Sequence, residues 1–264
     1  MQLPFNKKNS EYLYNLMDVG KRHINQCDTK AILHNLNNLI NLYSNKFGPT
    51  YYSINDCSTG QYLYISENCQ QITGYPQDYF YQFGLKGYHD FRAPENDKFL
   101  KEMIISSWNY AHKLPKNDRL NLITNFDYCI ITGDHYKFKR ILDQLITLSL
   151  DRDGKFRILL AISQEISHIK KPDPILLPGA SIHLRRNGSH HLYNHFTQDF
   201  IDMDTLTERE HEILSCYGVG MNSGTIAESL FISPFTVQSH RTNLYKKTKC
   251  KNINQLKAFA QSIH

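Results

Sequence analysis

The chain has 264 residues, 41% of them hydrophobic and 21% charged, with a formal net charge of +5. That composition fits a globular chain of about two domains at ~150 residues each and excludes a disordered or fibrous one. No apolar run reaches the ~18–20 residues a membrane span needs, and the start MQLPFNKKNSEY lacks the apolar stretch of a secretory signal. A cytoplasmic protein without a membrane partner is therefore expected.

Residues 1–48 read as a helical segment. Ser10 and Thr29 are candidate caps, and Ile32, Leu33, Leu36, Leu39, Ile40 and Tyr43 recur at helical spacing before Gly48-Pro49 stops the pattern. That stripe suits either a dimer contact or packing against the following domain. Cys27, Cys57, Cys69, Cys129, Cys216 and Cys250 show no CxxC spacing, so free thiols are expected rather than a metal or redox site.

Residues 49–170 change to a strand-rich texture. Tyr51–Asn55 and Gln61–Ile65 flank a Ser58-Thr59-Gly60 turn, which predicts a hairpin. Helices follow, one starting at Pro76 and a longer one over Pro94–His112. Three strand-like runs close the region: Asn125–Thr132, Lys137–Ser149 and Lys155–Ile166. Two strands, several helices and three strands predict an α+β layout, an antiparallel sheet with helices gathered on one face. The stretch YLYISENCQQITGY at 62–75, with Asn68 and Thr73-Gly74-Tyr75, resembles the PAS family of sensor domains. That resemblance implies a five-stranded antiparallel sheet with a cavity between sheet and helices. It allows a module that senses a small molecule or a protein partner, a ligand-free dimerisation module, or a haem or flavin sensor. Asn68-Cys69 does not stand in the setting of the flavin-binding branch, and His89 and His112 carry no further sign of haem ligation, so no cofactor is expected.

Residues 171–203 read as a linker, with Pro172, Pro174 and Pro178, and a hairpin about Asn187-Gly188. His183, His190, His191 and His195 lie here. With no cysteine and few acids alongside, solvated histidines are expected rather than a metal site.

Residues 204–264 carry the densest local signals. Thr207-Glu208-Arg209-Glu210 is a capping box, opening a helix that buries Ile213, Leu214 and Tyr217. Asn222 caps a second helix that buries Ile226, Ala227 and Leu230. Ser233 caps a third, with Pro234 at its first position. On the third helix Val237, Leu244 and the stem of Arg241 form an inward stripe. Phe235, Gln238, Ser239, Thr242 and Lys246 share the opposite face. From Ser229 onward there is no Asp or Glu, whereas Arg241, Lys246, Lys247, Lys249, Lys251 and Lys257 fall in that stretch. A capped helix presenting a short polar, acid-free face after a tight turn suits the major groove of DNA, where Gln can pair with adenine and a Thr methyl can touch thymine. LTEREHEIL, IAESLFISPFTVQSH and NLYKK are similar to the LuxR-type DNA-binding domain. The resemblance implies an all-α four-helix domain with its third helix in the groove and a fourth, over about Asn254–Ser262, for dimerisation. It also implies base reading by Gln238, Ser239 and Thr242, with Thr236, His240, Asn243, Lys246 and Lys247 at the DNA backbone or supporting the helix. The chain departs from the family at Thr248-Lys249, where Leu-Gly is usual, and at Gly224.

No phosphate loop, HExxH or receiver-like acidic cluster is present, so no enzyme is expected. The combined expectation is a transcriptional regulator that binds double-stranded promoter DNA as a homodimer and takes a signal at its PAS-like domain.

Overall fold

The structure, a computed structural model, describes residues 49–87, 90–133, 137–184 and 187–261. The expected N-terminal helices and His89 lie outside these residues.

Strands β1 (Thr50–Asp56) and β2 (Gln61–Ile65) form the predicted hairpin, and the chain then runs through four helices: α1 (Cys69–Thr73), α2 (Gln77–Gly87), α3 (Pro94–Lys113) and α4 (Lys116–Arg119). Asn68 sits at the start of α1, and Gly74 ends it in the left-handed region at φ 80°. Helix α2 is broken at Gly84, where the backbone turns at φ 60°. A Cβ at Gly84 would lie 2.4 Å from the Gly60 carbonyl, so only glycine lets this helix close on the hairpin turn. Strands β3 (Leu122–Ile131), β4 (Phe138–Leu150) and β5 (Phe156–Glu165) return antiparallel. The order β2-β1-β5-β4-β3 is the five-stranded antiparallel sheet that the PAS resemblance implies.

The sheet does not stop there. Residues 171–203, read as a linker, add β6 (Gly179–Leu184), β7 (His190–Asn194) and β8 (Asp199–Asp202), giving one eight-stranded sheet in the order β2-β1-β5-β4-β3-β6-β7-β8. The Asn187-Gly188 hairpin is present, but β6 also pairs with the free edge of β3, from Leu122↔Leu184 to Asp127↔Gly179. The proline segment is tied down as well. The buried guanidinium of Arg140 donates to the carbonyl oxygens of Leu176 (3.3 Å) and Leu177 (2.9 Å) and pairs with Asp127.

Solvated histidines are corrected for the same reason. His183 and His190 are cross-strand partners whose rings stack at 4.2 Å, His191 is buried, and His195 bonds the Pro178 carbonyl at 2.7 Å. Burial, then the neighbouring His190, lowers the His183 pKa to about 4. Among the described residues no cluster of three or more His, Cys, Asp or Glu could hold a metal, and the five described cysteines are free.

The hairpin β7–β8 is a wall shared by two cores. By the period-2 alternation of strands, Tyr193 and Phe200 point into the core under the sheet, with Phe80, Leu100, Phe126 and Ile182. Leu192 and Ile201 point the other way, into a second core with Ile213, Val237 and Leu256. A 3-10 turn at Met203–Thr205 leads into four helices: α5 (Glu208–Gly218), α6 (Ser223–Ser229), α7 (Pro234–Thr248) and α8 (Ile253–Gln261).

Candidate nucleic-acid interface

The three caps form as the sequence predicts. Thr207 Oγ1 accepts from the Glu210 N–H, and Glu210 Oε2 accepts from the Thr207 N–H at 2.9 Å. Asn222 Oδ1 accepts from the N–H groups of Gly224 and Thr225, both at 3.0 Å. A Cβ on Gly224 would lie 3.3 Å from that oxygen, a tight contact beside this cap. Ser233 Oγ accepts from the Thr236 N–H at 3.0 Å, with Pro234 at the first helical position.

Burial of the Val237/Leu244 stripe sets the azimuth of α7. Val237 and Leu244 are fully buried, while Gln238, Ser239, Thr242, Asn243 and Lys246 are exposed on the other side. The structure thus brings the three expected base readers and Lys246 to one open face. Thr236 and His240 are half-buried at its margin, and the Thr236 hydroxyl bonds the Ser233 cap at 2.8 Å. Lys247 is turned away from the face. Its ammonium donates to Glu210 Oε2 at 2.6 Å and to the Thr205 carbonyl at 2.9 Å, stitching α7 to the start of α5. Burial alone would raise the Glu210 pKa, but the bonds from Lys247 and Thr207 outweigh it and hold the carboxyl below its usual range.

One arrangement escaped the sequence reading. Arg241 Nη2 donates to Gln238 Oε1, while Nη1 donates to Ser223 Oγ at 3.4 Å. Ser223 Oγ in turn bonds the Tyr217 hydroxyl at 2.9 Å. The Gln238 amide is thereby oriented with its oxygen toward Arg241. The i,i+3 spacing of Gln238 and Arg241 was the available signal.

The departure at Thr248-Lys249 has a local account. Thr248 is buried and donates to the Leu244 carbonyl at 2.7 Å. Lys249 ends α7 at φ 59°, the left-handed conformation in which glycine is normally favoured. Lys249 Nζ meets Asp199 Oδ2 at 2.8 Å, and Asn194 Nδ2 donates to the Thr248 carbonyl at 2.8 Å, so the end of α7 is fastened to β7–β8.

A second site lies in the sheet domain. A cavity of about 310 Å³ separates the sheet from α3, with Tyr51, Tyr62, Leu100, Trp108, Phe126 and Leu145 among its walls. Asp143, Ser163, Ser53, Asn55 and Arg92 also line it. Tyr128 OH donates to Asp143 Oδ2 at 2.5 Å, and burial pushes the Asp143 pKa up to about 6. Asn55 Nδ2 donates to Ser53 Oγ at 3.2 Å, and its buried Oδ1 has no hydrogen-bond partner. His112 is exposed, with Nδ1 at 2.8 Å from the Trp108 carbonyl, and Cys69 is buried with its thiol pKa pushed up to about 12.

Residues 204–260 match the family described as bacterial regulatory proteins, luxR family. Over 55 residues the chain is 47% identical to the CsgBAC operon transcriptional regulatory protein of Escherichia coli strain K12, a match covering 21% of this chain and 26% of that protein. The chain thus spans about a quarter of the length of the curated relatives it matches. Among solved structures, the VqmA dimer of Vibrio cholerae is similar at a TM-score of 0.30 and 16% identity over 84% of this chain and 86% of that one. The N-terminal domain of a diguanylate cyclase with PAS/PAC sensor from Marinobacter aquaeolei gives a TM-score of 0.34 and 16% identity over 45% and 96%. With capped helices α5–α8, an open polar face on α7 and this match, residues 204–260 are a helix-turn-helix domain of the LuxR family of bacterial regulatory proteins.

Proposed function

We propose that the protein is a cytoplasmic, non-enzymatic transcriptional regulator that lays α7 in the major groove of promoter DNA and binds there as a homodimer. One observation carries the reading: the exposed face of α7 presents Gln238, Ser239, Thr242, Asn243 and Lys246, unpaired with any other described element and set in a stretch without a single acid. Gln238, Ser239 and Thr242 face base edges, and Lys246 and Asn243 face phosphates. Lys247, held by Glu210, supports the helix instead of reaching for DNA. Titration against duplex DNA at several salt concentrations tests this. A dimer making ~6–8 phosphate contacts has a log–log slope of about −5 to −7. Salt-independent affinity, or none at low salt, refutes it.

The sheet domain supplies the signal. A 310 Å³ cavity is at the small end of ligand pockets, and the buried Asn55 oxygen lacks a donor that a small molecule could bring. Helix α3 walls the cavity through Leu100, Ile104 and Trp108 and touches the β7–β8 wall through two bonds. Ser106 Oγ donates to the Gln198 carbonyl at 3.0 Å, and Tyr110 OH lies 2.9 Å from His191 Nε2. A ligand that moves α3 would bias the seat of the helix-turn-helix by as much as its affinity differs between the two arrangements. Native mass spectrometry of the purified full chain tests for the occupant. An empty cavity that no small molecule stabilises favours the reading as a ligand-free interaction module.

A further inference from the structure

We propose that Phe235 is a specificity-determining residue of the DNA-binding face, taking the C5-methyl group of a thymine in the major groove. This rests on the proposed placement of α7 in that groove.

Phe235 is the second residue of α7, and its side chain is 79% exposed. Fully burying a phenylalanine is worth ~3 kcal/mol, which the domain forgoes at this position. Three, four and seven residues separate Phe235 from Gln238, Ser239 and Thr242, so all four share one helix face.

That face is less polar than its composition suggests. Ser239 Oγ donates to the Phe235 carbonyl and Thr242 Oγ1 to the Gln238 carbonyl, both at 3.1 Å. Both hydroxyl protons are therefore spent on the helix backbone. Gln238 Oε1 accepts from Arg241, which leaves the amide N–H groups as its outward donors. What α7 offers a base pair is donors from Gln238 beside the apolar surfaces of Phe235 and Thr242. An A·T pair presents the complement in the major groove: the acceptors adenine N7 and thymine O4, beside the thymine methyl. Charge selects DNA over a protein partner as the occupant, since Arg241 and Lys246 flank the face and no acid follows Glu228.

The test uses the full chain and a duplex that it selects from a random-sequence library. Each thymine of that duplex is replaced singly by deoxyuridine, which removes only the methyl. Wild type is expected to lose about fourfold in affinity at one position per half-site, the effect of one methyl-sized group withdrawn from water. Phe235→Ala is expected to bind the thymine and deoxyuridine duplexes equally, with an unchanged salt slope and melting temperature. Wild type insensitive to every replacement overturns the proposal, as does a Phe235→Ala profile identical to wild type. The latter result, with DNA affinity intact, would assign Phe235 to a protein contact. No salt-dependent binding by wild type overturns the reading of α7 itself, and this inference with it.

Discussion

The sheet domain and the helix-turn-helix keep their polar groups in opposite places. Under the sheet, Arg92, Asp143 and Asn55 are buried beside Tyr51, Tyr62 and Tyr128, and a cavity is left among several of them, while Arg140 is buried against Asp127 on the other face. The core of α5–α8 is built from Ile213, Leu214, Ile226, Val237, Leu244 and Leu256, with Glu210 and Thr248 as its buried polar residues among those described. Gln238, Ser239, Thr242, Asn243 and Lys246 stand exposed on the outer face of α7. Buried polar groups must be satisfied in place and are costly to disturb, whereas exposed ones are cheap to hold and open to a partner. The contrast teaches that one domain encloses its polar groups around a cavity while the other displays them on an open helix face.

Arg140 gives the largest test of that contrast. Arg140→Met removes a side chain with no solvent exposure, leaving Asp127 with only Lys170 and freeing the Leu176 and Leu177 carbonyls. The expected loss is about 3–4 kcal/mol in urea denaturation, with early proteolysis at residues 171–178. A variant as stable as wild type would mean that the buried ion pair organises nothing.

Asp143 comes next. It titrates at about 6 in the fold and near 3.9 in the unfolded chain. The native state therefore keeps this proton longer, and the contribution of Asp143 to stability falls as pH rises from about 4 to about 6, against the rising contribution of the buried His183 over the same window. Asp143→Asn is expected to abolish that decline, on the order of 2–3 kcal/mol between the two ends of the window. Parallel pH profiles for wild type and variant would refute the assignment.

Neighbouring lysines sharpen the comparison within the second domain. Lys247→Ala should lower stability by about 1–2 kcal/mol, because Glu210 is buried and loses its ammonium. Lys246→Ala should leave the melting temperature unchanged, weaken selected and random duplexes alike and flatten the salt slope by about one unit. If the two variants exchange these phenotypes, the roles assigned to them are reversed.

Phe231 offers the smallest effect. It is 95% exposed with φ 54°, so its side chain gains nothing from packing and its backbone is strained. Phe231→Gly should stabilise the protein by about 1 kcal/mol, read as a rise of a few degrees in melting temperature. A fall would reveal packing that the exposed ring does not show.

What the sequence by itself determined is concentrated in the second domain. The capping box at Thr207, the caps at Asn222 and Ser233, Pro234 and the Val237/Leu244 stripe all act over three to seven residues, so local chemistry sets both the helices and the face of α7. Strands β1–β5 were legible to within a few residues at their ends, because alternation and turn residues are local too. Tertiary structure alone decided which edge β6 would join, that Arg140 would hold the proline segment, that the four histidines would be drawn into packing, and that Lys247 would turn inward to Glu210. Each of these depends on which unpaired strand edge, carbonyl or carboxylate a distant part of the chain leaves free. Local periodicity carries no record of that, since a strand or a cap can form identically beside many different neighbours.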